Sequence, residues 1–168
     1  MPNQSRLKRP GLIFCLTAIC VVIADQVSKF LISSNMAIGE SIPRNSFISV
    51  HHVQNTGAAF GLFDDHTSIL IGISIFGAIA VIASFFYSDK MPFLGGTWAK
   101  VVLGLVLGGI LGNMIDRIYL GYVTDFIDVG IWPTFNLADS AVVIGILSLI
   151  HLILFSADDK RATNGQST

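Results

Sequence analysis

The stretch "VTDFIDVGIWPTFNLADSA", Val123 to Ala141, holds three carboxylates, Asp125, Asp128 and Asp139, between two long apolar runs. A carboxylate beside a low-dielectric slab is costly unless it is paired, hydrated or put to use. Two of these can be used together. Carboxyl groups that share a site titrate as a coupled pair, one ionised and one protonated near neutrality. With such a pair aspartic proteases activate water and protonate a leaving group. Asp125 and Asp139 flank one short connection and can converge across it. A plainer reading fits Asp139 alone, because Asn136 suits a helix N-cap and Asp139 then falls at N3, favourable near the positive helix end. Asp125 has no such explanation. Asp128, three residues on, reads as solvated surface.

Other polar residues are set where apolar ones would be expected. Asp25 and Lys29 in "DQVSK" are four apart, on one helical face, and make a self-neutralising pair that anchors a helix end. In "GNMIDRI" Asn113, Asp116 and Arg117 share a face, and Asp116 is a candidate partner for its neighbour Arg117. An Arg at that depth calls for a carboxylate, a lipid phosphate or a carbonyl. "NTGAAFG", Asn55 to Gly61, is a turn whose N–H groups suit an extended peptide or a polar headgroup, although a plain turn explains it equally. His51, His52 and His66 are expected to be exposed in a loop, and His151 to be a helix-contact residue. Asp64 and Asp65 read as a loop turn or headgroup-facing charge. No metal-ligand spacing occurs, and Cys15 and Cys20, five apart on one helix, cannot pair within the chain.

Helices have to carry these groups. The 168 residues are 52% hydrophobic and 12% charged, with a mean hydropathy of +0.70; a soluble domain has about 25% charged residues. Four apolar blocks, about 11–31, 68–88, 97–118 and 138–156, are each near the roughly 20 residues that span a bilayer core. The expectation is a single integral membrane domain, 1–168, of four transmembrane helices. The basic run before the first block imitates a secretion signal, but three more spans follow, so an uncleaved helix is expected. Arg6, Lys8, Arg9, Lys90, Lys100, Lys160 and Arg161 fall on one side, which places both termini in the cytoplasm. The loop 33–67 then lies outside, and "SFISVHHV" within it suits a small sheet on the membrane face. Helices two and three are antiparallel neighbours. Gly104 and Gly108 suit helix packing, while Gly109 and Gly112 suit either packing or a hinge or substrate groove. The tail "ATNGQST" reads as disordered.

On spacing alone, a proton- or cation-coupled transporter competes with an enzyme, and a structural scaffold is a third reading. A transporter predicts broken helices or charges at mid-membrane depth. Here the polar residues collect at helix ends beside a loop long enough to cover a peptide, which favours the enzyme.

"DQVSK", "NTGAAF", "GGILGNMIDRI", "VTDFID" and "FNLADS", in this order and spacing, resemble lipoprotein signal peptidase, the bacterial signal peptidase II. The resemblance runs from Gly11 to about Phe155. It implies an aspartic endopeptidase of the bacterial cytoplasmic membrane, with no metal or cofactor and no nucleic acid partner. Such an enzyme cuts prolipoproteins on the amino side of a diacylglyceryl-modified cysteine. By this likeness Asp125 and Asp139 are the catalytic dyad, and Asp25, Lys29, Asn55, Gly109, Asn113, Arg117 and Asn136 line or support the site. Membrane lipids surround it, and globomycin-type inhibitors are expected to bind there. The implied fold adds a small extracytoplasmic β-cradle and a mobile loop over the active site, near the extracytoplasmic face.

Overall fold

A computed structural model of the chain describes residues 4–44, 46–57 and 66–164. Four helices, α1 (Gln4–Asn35), α2 (Thr67–Phe86), α3 (Thr97–Tyr119) and α4 (Leu137–Asn164), are joined with three strands, β1 (Ser41–Ile42), β2 (Ser49–Asn55) and β3 (Val123–Asp128). Each helix contains a segment long and apolar enough to cross a membrane: Pro10–Asn35, Thr67–Phe86, Thr97–Tyr119 and Leu137–Phe155. This is the architecture of a multi-pass membrane protein.

Burial identifies the central helix. Over half of the apolar window of α3 (56%) is buried, against 17% for each of the other three, and α3 packs on α1, α2 and α4. Lipid tails are as apolar as leucine, so helices associate in a bilayer through close packing rather than hydrophobic exclusion. Glycine permits that approach. A Cβ on Gly104 would lie 2.7 Å from Thr17 Cβ, and one on Gly108 would lie 2.6 Å from Val21 Cβ, both on α1. Between α1, α2 and α3 the core is filled by Phe14, Ala18, Ala78, Leu103 and Leu107, with Phe14 stacked on Phe85 at 4.4 Å. Many large apolar side chains of α1, α2 and α4 remain exposed, on the surface that meets lipid, and Cys15 and Cys20 lie on it.

At the end of the bundle where α1 and α3 finish and α2 and α4 begin, the strands form one antiparallel sheet in the order β1-β2-β3. Val53 pairs with Asp125 and Asn55 with Val123, after an irregularity between Val50 and Val53. The sequence points to the β2 region, whereas β3 falls where only a connection is expected. Gly121, at φ +82°, turns the chain from α3 back into β3.

Several expectations need correction. The first helix runs on to Asn35, past its expected end near Leu31, and in this last turn Ser33 Oγ donates to the Phe30 carbonyl and Asn35 Nδ2 to the Leu31 carbonyl. The tail residues Ala162 to Asn164 continue α4 instead of being disordered. His52 is buried, its Nδ1 2.9 Å from the carbonyl oxygen of Met36. His151 is exposed, and its ring meets Phe155 on its own helix. Asp128 is half-buried and accepts bonds from Ser49 Oγ and the Gly130 N–H. At the opposite end Lys100 is buried and donates to Ser88 Oγ and to the Leu94 carbonyl. The expected turn at Asp64 and Asp65, and the second half of "NTGAAFG", lie outside the described residues.

Candidate active site

Asp125 stands in the middle of β3, and Asp139 in the first turn of α4. Both line one cavity of about 500 Å³, together with Asn55, Asn113, Arg117 and an apolar wall that includes Leu70, Ile73, Ile110, Trp132 and Val142. The two carboxylates are bridged by one residue. Asn136 donates from Nδ2 to Asp125 Oδ1 at 2.7 Å, and its backbone N–H donates to Asp139 Oδ2 at 3.2 Å. The Asp139 N–H returns a bond to Asn136 Oδ1 at 2.9 Å. This is the reciprocal geometry of a capping box. Asp139 therefore does cap the helix, and still presents its carboxylate to the cavity.

The second oxygen of each carboxylate is also held. Asn55 Nδ2 donates to Asp125 Oδ2 at 2.8 Å, so the end of β2 fixes the carboxylate on β3. Asn113 Nδ2 donates to Asp139 Oδ1 at 2.7 Å. The orientation of the Asn113 amide is set from behind, since its Oδ1 accepts from Lys29 Nζ at 2.9 Å and from Asn136 Nδ2 at 3.0 Å. Lys29 makes two further contacts, with Asp25 at 2.8 Å and Asp116 at 3.1 Å. An ammonium has three N–H groups, and all three find acceptors. Asp25 in turn takes the Ala138 N–H at 3.0 Å, tying α1 to the first turn of α4.

Burial pushes the Asp125 carboxyl up to about 6; the Asn55 and Asn136 bonds oppose this, and the charge of Asp139 adds to it. Desolvation and a like charge disfavour the ionised form, whereas donors to the carboxylate favour it. A carboxyl group so placed can hold a proton near neutral pH.

Arg117 does not pair with its neighbour Asp116. Adjacent helical positions diverge, so Asp116 turns to Lys29 while Arg117 Nη2 donates to the Gly57 carbonyl at 3.2 Å. Gly109 also lines the cavity, and a Cβ there would come within 2.4 Å of the Ala138 carbonyl oxygen. Its glycine lets α4 start against α3. All nine residues singled out in the sequence thus meet at the sheet end of the bundle. Gln26, Asp116 and Thr124 join the same network and are not among those nine. The available signals were weak: Gln26 adjoins Asp25, and Asp116 lies one turn from Asn113.

A family model described as signal peptidase (SPase) II matches residues 17–155, which include every residue of this network. The chain belongs to the signal peptidase II family. A lipoprotein signal peptidase of Dehalococcoides mccartyi is 47% identical over 147 residues, covering 88% of this chain and 92% of that protein. One from Moorella thermoacetica is 42% identical over 149 residues, covering 88% and 96%. Among solved structures, one described as a bacterial membrane enzyme determined in meso superposes with a TM-score of 0.74 at 35% identity, over 88% of this chain and 90% of that one. A second gives a TM-score of 0.71 at 36% identity, over 84% and 91%. Membership in this family makes the chain a peptidase.

Proposed function

We propose that the chain is an intramembrane aspartic endopeptidase that removes signal peptides from diacylglyceryl-modified prolipoproteins, cutting on the amino side of the lipidated cysteine. The observation that carries this reading is the bridged pair: two carboxylates from separate elements, lining one cavity and joined through Asn136. Asp139 sits at a helix N-terminus with both oxygens accepting bonds, and Lys29 lies behind Asn113. Those donors orient the Asp139 carboxylate toward the cavity, where it serves as the base. In this reading Asp125, whose carboxyl is pushed up to about 6 by burial, serves as the acid.

Asp139 takes a proton from a water molecule as the water oxygen adds to the scissile carbonyl carbon. Asp125 gives its proton to the carbonyl oxygen, forming a neutral gem-diol. Collapse breaks the C–N bond, returns a diol proton to Asp125 and transfers the Asp139 proton to the departing cysteine nitrogen. The cycle restores one shared proton. Arg117 and Asn113 line the cavity beside the dyad and offer N–H donors to the substrate backbone. The apolar wall suits the diacylglyceryl chains and the apolar end of the signal peptide. Globomycin-type inhibitors occupy the same cavity.

The distribution of basic residues supports cytoplasmic termini in a bacterial cell, with the sheet end and the dyad on the extracytoplasmic side. One assay addresses substrate and side together. Sealed right-side-out vesicles should cleave an added diacylglyceryl-modified prolipoprotein peptide and leave its unmodified counterpart intact, and inverted vesicles should be far slower. Equal cleavage of the unmodified peptide would contradict the substrate assignment, and faster cleavage by inverted vesicles would reverse the orientation.

A further inference from the structure

We infer that Asp116 is a positioning residue for Asp125, acting through the backbone of β3. This rests on the reading of Asp125 as half of the catalytic dyad. Asp116 lies in the last turn of α3 and is 3% exposed. Three donors from two other elements converge on its carboxylate. Gln26 Nε2 donates to Oδ1 at 2.9 Å, while Lys29 Nζ and the Thr124 N–H both approach Oδ2 at 3.1 Å.

The Thr124 contact gives Asp116 its particular place. Thr124 immediately precedes Asp125 in β3, which is an edge strand of the sheet. Its edge N–H groups need partners from outside the sheet, because a buried unpaired N–H is costly. Phe126 donates to the Phe135 carbonyl at 3.1 Å, and Thr124 donates to Asp116. Asp125 lies between these two anchors. Its side chain is then directed to Asn55 and Asn136. Asp116 thus links the Lys29 ammonium to the strand that carries one aspartate, as Asn113 links it to the other.

An amide cannot replace this carboxylate. Every partner of Asp116 is a donor, so the NH₂ of an asparagine faces at least one N–H. The strand root then loosens, and a misplacement of about 1 Å at a reacting group can cost roughly 100-fold in rate.

The test compares Asp116→Asn with Asp125→Asn and wild type, measuring kcat and KM on a lipid-modified prolipoprotein and amide hydrogen exchange at Thr124. Asp116→Asn is expected to lower kcat by about 10- to 100-fold with KM within about twofold, because binding groups stay in place while the reacting carboxyl shifts. Exchange at Thr124 should accelerate. In the Asp125→Asn background it should cause no further loss. Asp116→Glu keeps the charge but moves the oxygens, so it serves where the asparagine variant does not fold, and the same fall in kcat is expected. An inactive Asp125→Asn beside an Asp116→Asn or Asp116→Glu protein with wild-type kcat overturns the inference alone. Wild-type activity in Asp125→Asn overturns the dyad reading beneath it.

Discussion

The carboxylates of the proposed dyad are held by amides. Asn55, Asn113 and Asn136 supply the side-chain bonds to the two aspartates, and an amide can satisfy a carboxylate without adding charge. A lysine in their place would favour ionisation of both carboxyls and leave no acid. The value of about 6 for Asp125 sets a pH dependence. If Asp125 is the acid of the proposed mechanism, kcat/KM, which reports the free enzyme, should fall as pH rises through about 6. The limb belongs to the coupled pair rather than to one residue. Asn55 holds the Asp125 value down by donating to the ionised form. Asn55→Ala should therefore move the alkaline limb to higher pH, whatever it does to the rate. A limb that stays fixed, or moves to lower pH, would show that Asn55 does not stabilise the ionised carboxylate.

At the scale of elements, glycine spacing on α3 sets how near the functional helices come. Gly108 has Val21 Cβ and the Ala18 carbonyl oxygen within 2.6 and 2.8 Å of where a Cβ would stand. The second is backbone, which cannot turn aside. Gly108→Val should force α1 away from α3 and cost about 1–3 kcal/mol or more by overpacking. It should also pull Lys29 off Asn113. Gly72 on α2 has nothing within 4 Å, so Gly72→Ala should leave both stability and activity near wild type. Thermal unfolding in one detergent, with turnover alongside, separates the two, and equal effects at both positions would contradict the packing account.

The helices were legible because their apolar runs match a bilayer, a constraint that acts on consecutive residues. β3 was not, because "VTDFID" becomes a strand only by pairing with β2, and Asp125 finds its partner Val53 across 72 positions of chain (125 − 53). The same limit hid Asp116. Its acceptor role depends on the Thr124 N–H reached through the turn at Gly121, whereas spacing along a helix showed only its neighbour Arg117. The cap at Asp139 was readable from Asn136 alone, because capping is local. That the same cap would bridge to Asp125 needed the sheet.

Taken as a whole, the molecule uses its central helix and edge strand to bring two acids from either side of a short connection into one apolar cavity. Asp25, Lys29 and Asp116 form a buried charged cluster behind them, with α1 tied to both α3 and α4. In the proposed mechanism Asp125 and Asp139 act as one proton-sharing unit. Its most direct test is turnover of a lipid-modified prolipoprotein by Asp125→Asn, Asp139→Asn and the double variant, each checked for folding. Asparagine keeps the size and one acceptor oxygen but cannot shuttle the proton. Each single variant should lose several orders of magnitude in kcat, and the double variant should be little worse than either, because parts of one unit are not additive. A role for Asp139 confined to the helix cap predicts the reverse, since asparagine is tolerated near a helix start. A well-folded Asp139→Asn protein that cleaves the lipid-modified substrate at near wild-type rate would contradict the account.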